Sequence, residues 1–356
     1  MVRLVALTAL LLLAPLAGGE DGPPSSCVDC HGDLLEEAGG DVHRAAGFTC
    51  VSCHGGDPTA EDQDRSMSPA RGYLGAPAAL AAANMCGRCH SDIERMRTIN
   101  PRLPTDQLAQ YRTSEHGQLA ARGSERVATC VSCHGSHGVR PVSDPASLAS
   151  TARIVETCSG CHNTSYMEGS PIPTDQVEKY QQSVHGQRRL EERDLAAPAC
   201  NDCHGNHGAA PPGVSAVTHV CGSCHATQAE LFEGSTHASH FRNLEAPPCT
   251  TCHNHHEVLA TGDDMLGTGE RGVCGACHTP GDDCDEATKA MKAGLAQLSD
   301  RAERARGALA EARRLGMDVE RPTFDLAGAD DALVRARAEI HAFSEERLQA
   351  VVDDGV

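Results

Sequence analysis

Residues 130–137 read CVSCHGSH, and the first five positions of this stretch decide how the chain is organised. Two cysteines three positions apart, with a histidine directly after the second, occur nine times between residues 27 and 278. The cysteines of the nine motifs are Cys27, Cys30, Cys50, Cys53, Cys86, Cys89, Cys130, Cys133, Cys158, Cys161, Cys200, Cys203, Cys221, Cys224, Cys249, Cys252, Cys274 and Cys277. Their histidines are His31, His54, His90, His134, His162, His204, His225, His253 and His278. With only twenty histidines in 356 residues, this placement is not an accident of composition.

The spacing of the motif has a direct chemical interpretation. Two thiols at this distance can each form a thioether with one vinyl group of a haem, and the following histidine then lies under the iron as its proximal ligand. Zinc knuckles also use paired cysteines, but they need two half-sites and no obligatory histidine. Disulfides suit an exported protein but leave the histidine unexplained. The sequence therefore predicts nine covalently attached haem c groups.

The composition indicates that the haems themselves form the interior. The chain has no Trp, four Tyr and five Phe, against nineteen Cys and twenty His. Apolar porphyrin faces can take the place of the missing aromatic side chains. We therefore predict a mostly irregular and α-helical fold, in which short helices surround a core of stacked haems.

The haem motifs form a repeat. Units 86–137 and 158–207 each contain a haem motif, a Ser-x-His-Gly sequence, a second haem motif and a histidine three residues past its proximal histidine. Unit 221–256 follows the same order except that Ala takes the place of Gly, unit 27–54 is a shorter version, and a half unit at 274–278 closes the series. We assign residues 20–284 to one nine-haem cytochrome c domain built from these units.

The repeat also predicts the sixth ligands of the irons. The phrase PTDQLAQYRTSEHG at 104–117 recurs as PTDQVEKYQQSVHG at 173–186, and we predict a helix with Thr105 or Thr174 as its N-cap and a distal histidine near its end. A histidine three residues past a proximal one lies on the proximal side of its own haem, so we expect it to bind a neighbouring haem. The predicted distal ligands are His43, His116, His137, His185, His207, His237 and His256, with His219 and His341 as further candidates and His240 and His255 as competitors.

Unit 27–54 departs from the repeat, because Asp57 stands where a distal histidine is expected. One haem of this unit would then take a methionine, keep an open sixth site, or borrow a histidine; the candidates are His219, His240 and His341.

Residues 285–356 have a different composition, rich in Ala, Glu, Arg and Leu. Leucine and alanine at alternating steps of three and four over 295–312 predict an amphipathic helix that ends at Gly316. A second helix over about 330–350 completes a C-terminal helical hairpin. This hairpin is also the element that we would expect to mediate self-association.

Two residues of the C-terminal region have chemistry of their own. His341 is predicted to share a helix face with Val334 and Leu348, and the ligand shortage in the first unit favours it as a distal ligand. Cys284 has no partner at haem spacing and no following histidine. We expect a free thiol there, with an intermolecular disulfide as the main alternative.

The N-terminus and the charge limit where the protein works and what it binds. Residues 1–19 combine one basic residue with an apolar run, which is typical of a secretory signal peptide, and the run is shorter than the ~20 residues of a membrane-spanning helix. No later segment could span a membrane. The net charge of −19 argues against nucleic-acid binding, which needs a basic footprint. We expect an exported, soluble protein of the periplasm, the cell exterior or the outer surface, with redox proteins as partners.

Residues 27–278 resemble the bacterial multihaem c-type cytochromes that carry doubled CxxCH units with Ser-x-His-Gly or Gly-x-His-Gly distal histidines. The resemblance implies bis-histidine, low-spin haems that serve anaerobic or metal-linked respiratory electron transfer. Relatives of this kind also include haem enzymes that reduce nitrogen or sulfur oxyanions.

Three functions are compatible with these observations. We favour an electron carrier without catalytic residues, because two imidazole ligands leave no iron position for a substrate. The alternative is a multihaem reductase or oxidase with one open-site haem, for which Asp57 and Asp41 are the candidate acid/base groups. The third is a structural conduit that docks or polymerises through residues 285–356.

Overall fold

The computed structural model describes residues 25–37 and 39–355, so the predicted signal peptide lies outside the described residues. Those residues form short α-helices, irregular connections and 3₁₀ turns, and no β-strand occurs among them. The predicted fold class, mostly α-helical and irregular with short helices, is therefore confirmed. No helix in the described part of the chain is both long and apolar enough to cross a membrane.

The chain divides into two compact units, and the division falls between Ser150 and Thr151, inside the region that we assigned to one haem domain. The first unit contains ten described α-helices and a 3₁₀ turn at Pro69–Arg71. The α-helices are α1 (Ser26–Cys30), α2 (Asp33–Glu37), α3 (Val42–Ala45), α4 (Cys50–His54), α5 (Gln63–Ser66), α6 (Ala79–His90), α7 (Ile93–Ile99), α8 (Gln107–Thr113), α9 (Glu115–Ala121) and α10 (Cys130–His134).

The second unit contains eleven described α-helices, of which the last three are at the C-terminus. They are α11 (Ile154–Ser159), α12 (Gln176–Gln182), α13 (Val184–Leu190), α14 (Cys200–His204), α15 (Val217–Gly222), α16 (Ala226–Glu233), α17 (Thr236–Asn243), α18 (Thr250–His253), α19 (Asp283–Arg314), α20 (Glu320–Glu339) and α21 (Glu345–Gly355). Its 3₁₀ turns are Val214–Ala216, Asp263–Met265, Cys274–Ala276 and Ile340–Ala342.

Several haem motifs form one-turn helices that are stabilised at their start by a residue of the motif itself. In α4, the Ser52 hydroxyl accepts a hydrogen bond from the Thr49 backbone N–H (3.1 Å), and α10 repeats this arrangement. In α14, the Asp202 carboxylate accepts from the Ala199 N–H (2.7 Å). Because these side chains satisfy an amide at the helix start, five residues suffice to hold two cysteines and a histidine in a fixed arrangement.

The largest apolar core lies in the C-terminal segment, where α19, α20 and α21 form a bundle. Ion pairs between Arg306 and Asp330 (2.7 Å) and between Arg335 and Asp354 (2.8 Å) show that consecutive helices run antiparallel. The buried residues of this core are Leu266, Met291, Leu295, Leu298, Ala332, Ala336, Leu348 and Val352. The haem-motif region contains a smaller cluster of buried side chains around Ala83, Tyr111 and Ala120.

The predicted hairpin differs from the structure in its second arm, which is two helices. This arm begins at Glu320, ahead of the predicted start, because Pro322 lies in the first turn, where its missing N–H has no intrahelical partner to lose. It breaks at Phe343, whose φ of 51° is left-handed and ends the helix. The expectation that His341 shares a face with Val334 and Leu348 is therefore wrong: Val334 is 69% exposed, whereas Leu348 is 1% exposed.

Candidate haem sites

The two haem motifs of each doubled unit lie next to each other, with the first cysteine of one motif close to the first cysteine of the other. All nineteen cysteines fall within the described residues, and no disulfide links any of them. Within each predicted repeat unit, the first cysteine of one motif lies close enough to the first cysteine of the other to shift the pKa of a thiol of the pair. These thiol pairs are Cys27–Cys50, Cys86–Cys130, Cys158–Cys200 and Cys221–Cys249. The two attachment points of a unit are therefore adjacent in space.

In the part of the chain that the structure describes, six pairs of histidine rings lie opposite each other with their centres about 6 Å apart, and each pair joins a CxxCH histidine to a histidine outside the motifs. The ring centres are 6.0 Å apart for His43–His90, 6.1 Å for His54–His137, 6.2 Å for His185–His225, 5.8 Å for His204–His256, 6.1 Å for His237–His278 and 6.1 Å for His253–His341. A metal–imidazole nitrogen bond is about 2 Å long, so two imidazoles that bind one metal from opposite sides have ring centres roughly 6 Å apart. The spacing of the pairs therefore fits an iron between two axial ligands.

Two of the three histidines that lie three residues past a proximal one face a different motif from their own. His137 lies opposite His54, not opposite His134, and His256 lies opposite His204. The residue directly after the proximal histidine redirects the chain, since Gly135 has a φ of 81°. A positive φ costs glycine little, so the turn carries the next histidine away from its own haem motif.

The Ser-x-His-Gly sequence forms a helix start, which corrects the predicted cap. Thr174 does not cap a helix; α12 ends at Gln182, and Ser183 is the N-cap of α13. The Ser183 hydroxyl donates to the Tyr180 carbonyl (2.6 Å) and accepts from the Gly186 N–H (3.0 Å). A Cβ on Gly186 would overlap the Tyr180 carbonyl oxygen. This tight break holds His185 in the first turn of a new helix.

The earlier copy of the phrase folds in the same way. Ser114 caps α9 by accepting from the Gly117 N–H (3.0 Å), and Thr105 is not the cap. The Tyr111 hydroxyl donates to the Ala128 carbonyl (2.9 Å), two residues before the next haem motif. The tyrosine thus ties the distal-histidine helix to a haem motif.

A hydrogen bond at Nδ1 orients several of the paired rings. His54 Nδ1 lies 3.0 Å from the Gly75 carbonyl oxygen, and His341 Nδ1 lies 3.0 Å from that of Ala338. The ring of His278 faces a carboxylate instead, because its Nδ1 lies 3.3 Å from an Asp282 oxygen. When Nδ1 donates such a bond, Nε2 is left as the metal-binding nitrogen.

Burial keeps many of these rings in the neutral form that binds metals. Burial, followed by the neighbouring His225, lowers the pKa of His185, and burial with His341 lowers that of His253. The pKa of His256 falls to about 4, mainly through burial and then through the adjacent His255. Neutral imidazoles are the species that coordinate a metal.

The two acids proposed as acid/base groups have structural roles instead. The Asp57 carboxylate accepts from the Thr59 hydroxyl (2.7 Å) and pairs with Arg65 (3.3 Å) and Arg71 (3.2 Å). The Asp41 carboxylate is buried and accepts from backbone amides, which include that of Val139 at 2.8 Å. Both carboxylates are therefore held by partners within the chain, and a catalytic role for either stays a prediction.

Some predicted ligands lie elsewhere than the sequence suggested. His341 faces His253 and does not serve unit 27–54. His219 is exposed, and no histidine ring of the described residues faces it. The sixth ligands of the haems at His134 and His162 stay predictions; our candidates are the two remaining repeat histidines, His116 and His207.

Sequence reasoning missed two residues that complete the sites. Phe343 stacks on His237, with ring centres 3.8 Å apart, and no pattern in the sequence indicated this contact. Asp282 contacts the His278 ring, and its position four residues later could have suggested it. Both lie in or next to the C-terminal bundle, which therefore contributes to the candidate haem site formed by His237 and His278.

Comparison with known proteins agrees with this chemistry. Residues 42–163 match a family model described as Cytochrome c3, and the matched segment contains four of the nine CxxCH motifs. The match supports a multihaem c-type cytochrome with covalently bound haem c. No curated protein and no solved structure matches the chain.

Proposed function

We propose that this chain is an exported electron carrier that holds nine haem c groups and passes electrons along them. The observation that carries the proposal is the set of six facing histidine pairs. Each pair contains one histidine from a CxxCH motif, and every ring separation suits an iron held from both sides. Electron transfer by a multihaem c-type cytochrome is also what the Cytochrome c3 match supports.

When bound, haem c supplies an iron that takes up and releases one electron, with a potential set by its axial ligands and surroundings. The eighteen motif cysteines would hold the macrocycles by thioethers, and the nine motif histidines would bind the irons. The paired histidines would fill the sixth positions and keep substrates off those irons. The chain thus holds the haems at fixed positions and distances, and its paired histidines keep other ligands from the irons.

The distal histidines also join neighbouring repeats. His137 of unit 86–137 faces His54 of unit 27–54, and His43 faces His90 in the opposite direction. An exchange of ligands in both directions would hold the two sets of haems close together. Close and fixed haems are what electron hopping requires, so the interleaved pairs support a carrier.

We place this activity in anaerobic respiration, in the periplasm or outside the cell, on the basis of the signal-like residues 1–19 and the Cytochrome c3 match. The partners would be redox proteins that contact an acidic surface. Self-association through residues 285–356 stays a prediction; Leu315 and Phe324, exposed near the turn between α19 and α20, are the residues that would favour it.

Two measurements on the purified, haem-loaded protein test the proposal. Intact mass should equal that of the processed chain plus nine haems, and electron paramagnetic resonance of the oxidised protein should show predominantly low-spin iron. The absence of covalent haem would overturn the proposal, and so would a spectrum in which most of the iron is high-spin.

A further inference from the structure

The first haem motif differs from the others in what lies opposite its histidine. His31 is exposed, and no ring among the described residues faces it. Its position is nonetheless defined, because its N–H donates to the Cys27 carbonyl (2.9 Å) at the end of α1. All twenty histidines of the chain lie among the described residues, so no histidine elsewhere in the chain can be the partner of His31.

The nearest repeat ligands are already engaged at other motifs. His137 faces His54, and His43 faces His90. Asp57, which stands where unit 27–54 would carry its extra ligand, is held by Thr59 and two arginines. The repeat histidines His43 and His137 therefore pair with other motifs, and neither of them faces His31.

The cysteines of the first motif are placed in the same way as those of the other doubled motifs. Cys27 lies close to Cys50 and raises the pKa of its thiol, so the two first cysteines are neighbours here as in the other doubled motifs. The start of α1 is fixed to the following loop, since both the N–H and the hydroxyl of Ser26 donate to the Pro58 carbonyl, at 2.9 and 3.0 Å. The attachment side therefore suits a haem, while the opposite side has no imidazole.

We propose that the iron bound by His31 has an exchangeable sixth position and binds small exogenous haem ligands, such as carbon monoxide in the ferrous state and cyanide in the ferric state. The inference rests on the proposed function, because it requires haem at residues 27–31. It adds a ligand-binding site to a chain in which the paired irons are closed to such ligands. It also places that site at the exposed first motif and not at Asp57.

The test is a carbon monoxide titration of the reduced nine-haem protein, followed by its optical spectrum. We expect about one equivalent bound per chain and, in the oxidised protein, a high-spin signal that integrates to about one iron in nine. The double variant Cys27→Ala with Cys30→Ala should hold eight haems by mass and lose carbon monoxide binding. The matched variant Cys274→Ala with Cys277→Ala should also hold eight haems but keep it.

The outcomes separate this inference from the proposed function. Nine haems that are all low-spin and inert to both ligands would overturn the open site, since a methionine or an amine must then fill it, and would leave the carrier intact. Binding that survives the Cys27/Cys30 variant would overturn the assignment to His31. A chain without covalent haem would overturn the proposed function itself. The wild-type titration needs no variant to fold, so the inference stays testable in either case.

Discussion

At the scale of single residues, Asp282 is the side chain with the clearest influence on an iron. Its carboxylate faces Nδ1 of His278 and also accepts from the backbone amides of Thr279 and Asp285, which hold the pKa of Asp282 below its ordinary value. A carboxylate at this position makes the imidazole a more basic ligand, and a more basic ligand favours ferric iron.

We predict that Asp282→Asn raises the potential of one haem while all nine remain attached. Asparagine can still cap α19, so the loss is confined to the negative charge beside His278. A tenfold change in the relative stability of the two iron states corresponds to about 59 mV for a one-electron couple. Voltammetry of the film-bound protein measures this shift, and Asp283→Asn, an exposed neighbour, is the charge-matched control. An equal shift in both variants would contradict a specific contact.

Asn254 is a second residue with a local effect, because it follows a proximal histidine with a φ of 60° and a ψ of −172°. That region is essentially reserved for glycine, and other residues pay about 1–3 kcal/mol to adopt it. We expect Asn254→Gly to raise the free energy of unfolding by about 1 kcal/mol and to leave the iron low-spin. The reverse change, Gly205→Asn at the equivalent turn (φ 82°), should lower the free energy of unfolding. Denaturant unfolding compares the two, and a loss of stability in Asn254→Gly would argue against strain.

At the scale of secondary structure, the break between α12 and α13 is what aims His185. Tyr180 anchors it, because its hydroxyl donates to the Pro198 carbonyl (2.9 Å) just ahead of the motif at Cys200. Burial raises the pKa of Tyr180 to about 12, so the phenol stays protonated and remains a donor. The Tyr180 hydrogen bond therefore links the helix before His185 to the segment that leads into the haem motif at Cys200.

We predict that Tyr180→Phe costs about 1 kcal/mol of stability, since the Pro198 carbonyl loses its donor. Haem content and the low-spin spectrum should be unchanged, because the ring itself remains. Thermal or denaturant unfolding with parallel haem quantification is the measurement. A third, partial copy of the phrase, QAELFEGSTHA at 228–238, carries Phe232 at the position of Tyr180, so Phe232→Trp serves as a control for mere disturbance of the ring. Unchanged stability together with slower electron transfer would instead favour a chemical role for the phenol.

At the scale of the whole molecule, the C-terminal bundle supplies parts of two haem sites. Its core of Leu295, Leu298 and Leu348 folds around apolar side chains in the ordinary way. The break at Phe343 then directs His341 towards His253 and lays the Phe343 ring on His237. The C-terminal segment therefore contributes residues to two of the candidate haem sites.

We predict that His341→Ala leaves nine haems attached and opens one further iron. Carbon monoxide binding should increase by about one equivalent, because the site at His253 loses its facing imidazole. His240→Ala removes an exposed histidine with no facing ring and should change nothing. Equal carbon monoxide uptake by the two variants would show that His341 is not a ligand. Helix content measured by circular dichroism would show whether the bundle is intact.

The sequence alone predicts the haem chemistry, the number of attachment sites, the repeat and a short list of distal histidines, and of these the haem chemistry is supported by the Cytochrome c3 match. It could do so because thioether attachment and proximal ligation depend on residues within five positions of one another. The pairing of distal and proximal histidines was decided by the tertiary structure, since His137 and His54 are brought together only by turns such as that at Gly135. The same holds for His341, whose direction depends on the left-handed φ at Phe343. The exposed position of His31 is likewise a property of the folded chain, because only the fold shows that His43 and His137 pair with other motifs.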